Sequence, residues 1–231
     1  MMIFQAVGCK ASPPESVEPE FVIKSGRIVV DRDEFFDELD LKLLAYPYNI
    51  KDYPNDYNTM IMDLVMGLTE QCQLMNAAQQ KGIAVSDQEV DQAEKRLRQD
   101  YPDDSFEQML LENAVSYRVW KEKLRKNLVI EKLVYTQLDE AITITPDDLV
   151  SYYKTLNDGN LDGENPVFWM EEAQLKALGE QLLTGLKREK RQALYGEWIE
   201  QIKTAYPAQI NEKEVTRFLL NPHKEKDGFD D

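Results

Sequence analysis

The chain has 231 residues, 42% hydrophobic and 30% charged, with 43 acidic against 27 basic side chains and a formal net charge of −16. That length suits one large domain or two small ones, and an acidic surplus of this size favours solubility while opposing a nucleic-acid backbone as main partner. A single histidine, His223, and two cysteines, Cys9 and Cys72, are too few for an ordinary zinc site or a disulfide framework, and His-dependent catalysis would have to use a residue in the polar tail NPHKEKDGFDD.

No run approaches the roughly 18 uninterrupted apolar residues of a membrane span. The first ten residues, MMIFQAVGCK, are too short and lack the basic start of a secretory signal. Ala6-Val7-Gly8-Cys9 nevertheless has the form of a lipoprotein signal end, where the Cys becomes the lipidated first residue; the plain alternative is a chance Gly-Cys. The KASPPESVEPE that follows is rich in Pro, Glu and Ser, so residues 1–19 read as a leader and flexible tether.

Residues 20–30, EFVIKSGRIVV, are two β-rich runs about Ser25-Gly26, a predicted hairpin that needs a third strand or a helix to cover it. Asp31 with Glu34 opens a helix carrying Phe35, Phe36, Leu39, Leu43 and Leu44 at helical spacing. A loop with two prolines and the crowded tyrosines Tyr46, Tyr48, Tyr53 and Tyr57 comes next. The helix predicted over 58–80 ends at Lys81-Gly82. Its core stripe is Ile61, Leu64, Val65, Leu68, Cys72 and Met75, which makes Cys72 a small buried apolar residue. Met60, Met62, Met66 and Leu74 fall off that stripe. They mark either a helix packed between neighbours or an adaptable Met surface for apolar partners.

Ser86 with Glu89 forms a capping box, Asp104-Ser105 with Gln108 repeats the device, and Ser116 caps a helix over 117–138 with two apolar stripes, as a central helix has. Its remaining face carries Arg118, Lys121, Arg125 and Lys132, a solvated basic face rather than a phosphate strip. Thr145-Pro146-Asp147-Asp148 is a further helix start, and NDGNLDGENP is loop. Helical pattern resumes at Val167. A phase change at the basic run 187–191, near Gly179, Gly185 and Gly196, predicts a bend or two helices. Tyr206-Pro207 ends it, and AQINEKEV supplies the strand the hairpin lacks. Paired acids such as Asp103-Asp104 and Asp147-Asp148 sit where caps are expected, no phosphate loop or nucleophile elbow occurs, and no cofactor or metal is implied.

The order of hairpin, helix, KGI, VSDQEVDQA, SYRVWKEKLRKNLVIEKLV and ITPDDLVSYYK resembles the N-terminal chaperone domain of the SurA family, extracytoplasmic peptidyl-prolyl isomerases and chaperones of bacteria. Residues 167–211 resemble the C-terminal piece that such proteins pack back onto that domain. The family's parvulin domain has room here only in residues 155–166, far too few, so the resemblance does not extend to isomerase activity. It implies a mainly α fold: a helical N-terminal domain (20–154), a short loop (155–166), a C-terminal helical segment (167–217) and a polar tail (218–231), with a small sheet completed by a C-terminal strand. It also implies an ATP-independent chaperone in the periplasm that holds unfolded or nascent polypeptides in an apolar groove between the two helical parts. The alternative is a dedicated assembly partner of one envelope or secretion protein. Candidate peptide contacts are Tyr46, Tyr48, Tyr53, Tyr57, Met60, Met62 and Met66, with Cys9 as the lipidation candidate and a lipid anchor as a further partner.

Overall fold

Gly26 and Arg27 turn the chain between β1 (Phe21–Ser25) and β2 (Ile28–Asp31), with Ser25 opposite Ile28, in the computed structural model, which describes residues 21–101, 105–156 and 172–221. Gly26 has φ +58°, where glycine is favoured, and a Cβ there would lie 2.6 Å from Asn76 Oδ1. The covering strand is β3 (Gln209–Ile210), giving an antiparallel sheet in the order β2-β1-β3 with Ile23 opposite Ile210. The Asn211 N–H extends the ladder by donating to the Val22 carbonyl at 2.9 Å. The fold is thus mainly helical with a three-stranded sheet closed by a C-terminal strand, as the sequence predicts. The strand stops sooner than expected: Asn211 accepts from the Glu214 N–H and caps a short helix, α8 (Glu212–Thr216).

α1 (Arg32–Leu43) starts at Asp31, whose carboxylate accepts from the Glu34 N–H at 2.9 Å. α2 (Pro54–Gln80) begins four residues before the predicted start because Pro54 opens it, where the missing N–H costs nothing. Tyr57 therefore belongs to the helix and not to the loop. Tyr57, Met60, Ile61, Leu64, Val65 and Leu68 are all buried, one face at the i, i+3, i+4, i+7 spacing. Met60 and Leu74, which the sequence places off the core face, are 1% and 4% exposed. The stripe is wider than the reading of it, because the sheet covers one flank of α2 and later helices another.

α3 (Asp87–Arg98) carries the full capping box: the Ser86 N–H donates to Glu89, and the Glu89 N–H to Ser86 Oγ. α4 (Ser105–Glu112) departs from its expected cap. Asp104 lies outside the described residues, Ser105 Oγ is buried without a partner among the described residues, and Gln108 donates to Glu112 instead. α5 (Tyr117–Val134), capped by Ser116, runs into a π-helical turn over Tyr135–Asp139, and α6 (Pro146–Leu156) is capped by Thr145.

α7 (Glu172–Ala205) is one continuous helix, so of the two expectations at the basic run the break into two helices is not met. Its phase change coincides with a change of neighbours along the helix. Gly185 lies against Tyr152 of α6, so close that a Cβ would sit 2.6 Å from the phenol oxygen. Trp198, Ile199 and Ile202 are buried with Leu74, Ala77 and Ala78 of α2 and Leu133 of α5. The other core lies between sheet, α1 and α2, and Val215 and Phe218 enter it after β3, with the Phe218 ring 4.4 Å from Phe35. Phe218 to Leu220, read from the sequence as the start of a polar tail, are therefore part of the packing, and Asn58 holds Leu220 by two backbone bonds of 2.8 Å. Ser25, Asn76 and the chain after α7 meet in a buried polar junction: Asn76 Nδ2 donates to Ser25 Oγ at 3.1 Å, and Ser25 Oγ lies 3.2 Å from the Tyr206 and Pro207 carbonyls.

Candidate functional site

Two concave regions stand out, and each is assembled from helices by identifiable forces. The larger is a cleft of about 630 Å3 between α3, α5, the π-helical turn and α7. Val85, Leu128, Val134 and Tyr135 supply its apolar wall, and charged side chains supply its rim. The basic face of α5 builds one side by latching α3. Lys121 pairs with Asp91 and Glu94, Arg125 with Asp87, and Lys132 with Glu89. On the opposite flank Lys126 and Lys123 reach Glu34 and Glu38 of α1. Three of the four cations that the sequence assigns to a solvated face, Lys121, Arg125 and Lys132, thus hold α3 to α5, while Arg118 pairs with Glu122 within α5.

α7 closes the far side through its basic run. Arg191 makes a two-pronged bond to Asp139, 2.5 Å on each prong, with Lys187 at 3.7 Å from the same carboxylate. Asp139 is only 6% exposed. The π-helical turn, in which the Glu140 N–H donates to the Tyr135 carbonyl, adds one residue to the helical repeat just before Asp139. Such turns are frequent at functional sites. Lys190 bonds Asp148 at 2.9 Å and the Thr143 carbonyl at 3.0 Å, fixing α6 to the same helix. Tyr135 is half exposed in the cleft, with the Lys187 amine 5.4 Å from its ring.

Three of these acids, Glu89, Glu94 and Asp148, are shifted by their latches. Hydrogen bonds from Lys132 and Ser86 lower the Glu89 carboxyl to about 2, and those from Lys190 and Thr145 lower Asp148 to about 2. At Glu94 burial pulls upward, but Tyr117, Arg98 and Lys121 outweigh it and hold the group below the usual range. A depressed folded-state value contributes stability that is present above the unfolded value near 4 and is lost as pH falls toward 2. The thermal midpoint is therefore expected to drop between about pH 4 and pH 2, and the double variant Glu89→Gln/Asp148→Asn to flatten that drop. Scanning calorimetry from pH 5 to pH 2 checks it; parallel curves for both proteins refute it.

The second region is a recess of about 480 Å3 at the start of α2. Tyr46, Pro47, Ile50 and Tyr53 form its apolar walls, Met60 closes the floor, and Asp56 and Asp63 stand at its edge. The structure thus brings together Tyr46, Tyr53 and Met60 of the sequence candidates. Tyr57 is 4% exposed and buried in the core, and Met60 reaches the recess only as its floor. Tyr48 is fully exposed outside the recess, while Met62 and Met66 are exposed on another face of α2. Cys9 lies outside the described residues, as does His223. Cys72 is buried, and burial pushes its thiol up to about 12, which makes it inert. Among the described residues no group of three or more His, Cys, Asp or Glu is placed to hold a metal ion, and no helix is long and apolar enough to cross a membrane.

Sequence reasoning named none of the large cleft's residues as a site. Tyr135 on an α5 stripe and the basic run of α7 were the available signals.

No family model matches the chain. Over 95 residues, 40% of the chain, it is 30% identical to Chaperone SurA of Alkalilimnicola ehrlichii, covering 22% of that protein. Over 161 residues, 68% of the chain, it is 24% identical to Chaperone SurA of Cupriavidus metallidurans, covering 32% of that protein. The matched part spans between a fifth and a third of the length of these curated relatives. The chain thus has a distant relationship to SurA chaperones.

Proposed function

We propose that this protein is an ATP-independent chaperone that holds unfolded or nascent polypeptides outside the cytoplasm, without prolyl isomerase activity. The observation that carries the reading is the cleft between α3, α5 and α7, with its apolar wall and a half-exposed Tyr135. Its volume of about 630 Å3 falls within the range of sites that bury side chains of a ligand. Apolar burial supplies roughly 25 cal/mol per Å2 before ordering costs, which suits weak, unselective holding. The distant relationship to SurA chaperones supports the same reading. The exposed Tyr48, Met62 and Met66 offer further adaptable contacts.

The test is suppression of aggregation of several unrelated unfolded proteins without nucleotide. The wild-type chain is expected to protect all of them, and Tyr135→Asp to protect them less at unchanged stability. Protection of one protein alone, in a stoichiometric complex, would replace the reading by that of a dedicated assembly partner. Turnover in a prolyl-isomerisation assay would overturn its last clause. Lipidation of Cys9 belongs to the same proposal, and mass spectrometry of the mature N-terminus in the native host decides it: an unmodified Cys9 refutes the anchor.

A further inference from the structure

The two concave regions differ in charge. The large cleft is lined by cations and anions that pair with one another, Lys132 with Glu89 and Arg191 with Asp139. The recess at the start of α2 has only acids among its charged lining residues, Asp56 and Asp63. Neither has an ion-pair partner among the described residues. Lys51, in the short turn beside them, has its amine 5.9 Å from the Tyr57 ring centre and is not part of the lining. The floor between the two acids is Met60, and the walls are Ile50, Tyr46 and Tyr53, of which Tyr53 is 56% exposed.

We propose that this recess selects, from the polypeptides the protein holds, extended segments in which an aromatic or large aliphatic side chain lies between two basic residues. The apolar side chain enters against Met60 and Tyr53, and the flanking cations meet Asp56 and Asp63. Spacing sets the register. The two acids are seven residues apart on α2, about 10 Å along the axis at the rise of a helix. An extended chain covers that distance in about three residues, so the basic residues stand about three apart. A second copy of this chain is a poor occupant, since it brings a formal charge of −16 to an acidic rim. The inference rests on the reading of the protein as a polypeptide holder.

The test is fluorescence anisotropy of the full chain with a short fluorescein-labelled peptide carrying Arg-Phe-Ser-Lys, and with versions carrying Glu-Phe-Ser-Glu or Arg-Ala-Ser-Lys. Asp56→Asn/Asp63→Asn is expected to weaken the first peptide by about threefold to tenfold, the scale of two exposed ion pairs. Tyr53→Ala is expected to weaken it as well, and the two altered peptides to bind poorly to the wild type. A control pair of exposed acids on α7, Glu180→Gln/Glu197→Gln, is expected to leave binding unchanged. Equal loss in the control reduces the effect to net charge and overturns the proposal. So does indifference to the aspartates, or a wild-type dimer that Tyr53→Ala dissociates. Aggregation suppression with an acidic unfolded client separates the readings. If it persists in the recess variants while peptide selectivity is absent from the wild type, this inference fails alone; if the wild type shows no suppression, the chaperone reading fails first.

Discussion

Trp198→Ala is expected to cost about 3–4 kcal/mol of folding stability, the range for deleting a large aromatic from a packed core. Trp198 is 9% exposed and lies with Ile199 and Ile202 in the cluster that joins α7 to α2 and α5, its ring 5.5 Å from that of Tyr195. Its loss does more than leave a cavity. α7 carries Arg191, which closes the cleft, and leads through Tyr206 and Pro207 to β3, which completes the sheet. Loosening the helix therefore weakens both cores. Urea denaturation followed by far-ultraviolet circular dichroism measures it. Leu194→Ala, four residues earlier at 45% exposure, serves as the comparison and is expected to stay within about 0.5 kcal/mol. Equal midpoints for the two variants would show that α7 is not held through this cluster.

The features legible in the sequence are those written locally. Ser86, Ser116 and Thr145 mark helix starts because a cap needs only one side chain and the amide three residues on. Gly82, at φ +69°, marks a helix end for a similarly local reason. The third strand was legible because an uncovered hairpin demands one. What the sequence hides is set by partners far along the chain. Met60 looks off the stripe until the surrounding elements cover its side of α2. The basic run of α7 looks like a break until Asp139 and Asp148 are placed opposite it. The recess was half legible: the tyrosines were conspicuous, but that Tyr46 and Tyr53 share a hollow floored by Met60 depends on Pro54 starting the helix. The large cleft draws its wall from Val85 through Tyr135 and its far side from Arg191, and no local periodicity reports such a combination.

The ion pair that closes the cleft gives the second large effect. Arg191→Ala is expected to cost about 2–3 kcal/mol, below the 3–5 of a fully buried pair, because the guanidinium side chain is 39% exposed while the carboxylate is 6% exposed. Most of that cost is the burial of an Asp139 carboxylate left, among the described residues, with Lys187 at 3.7 Å. The pair itself contributes less than its rupture suggests. Asp139→Asn, which removes the charge and keeps the shape, is therefore expected to cost less than Arg191→Ala. The double variant Asp139→Leu/Arg191→Met is expected to recover most of the loss, since apolar replacement of a buried pair is often neutral or stabilising. A double-mutant cycle by chemical denaturation, with the single variants Asp139→Leu and Arg191→Met measured beside the double, separates these contributions. Additive losses would mean that Asp139 and Arg191 act independently. If the double variant is stable but holds unfolded clients less well, the pair serves the shape and polarity of the cleft rather than the stability of the fold, a distinction that the aggregation assay on the same three proteins makes directly.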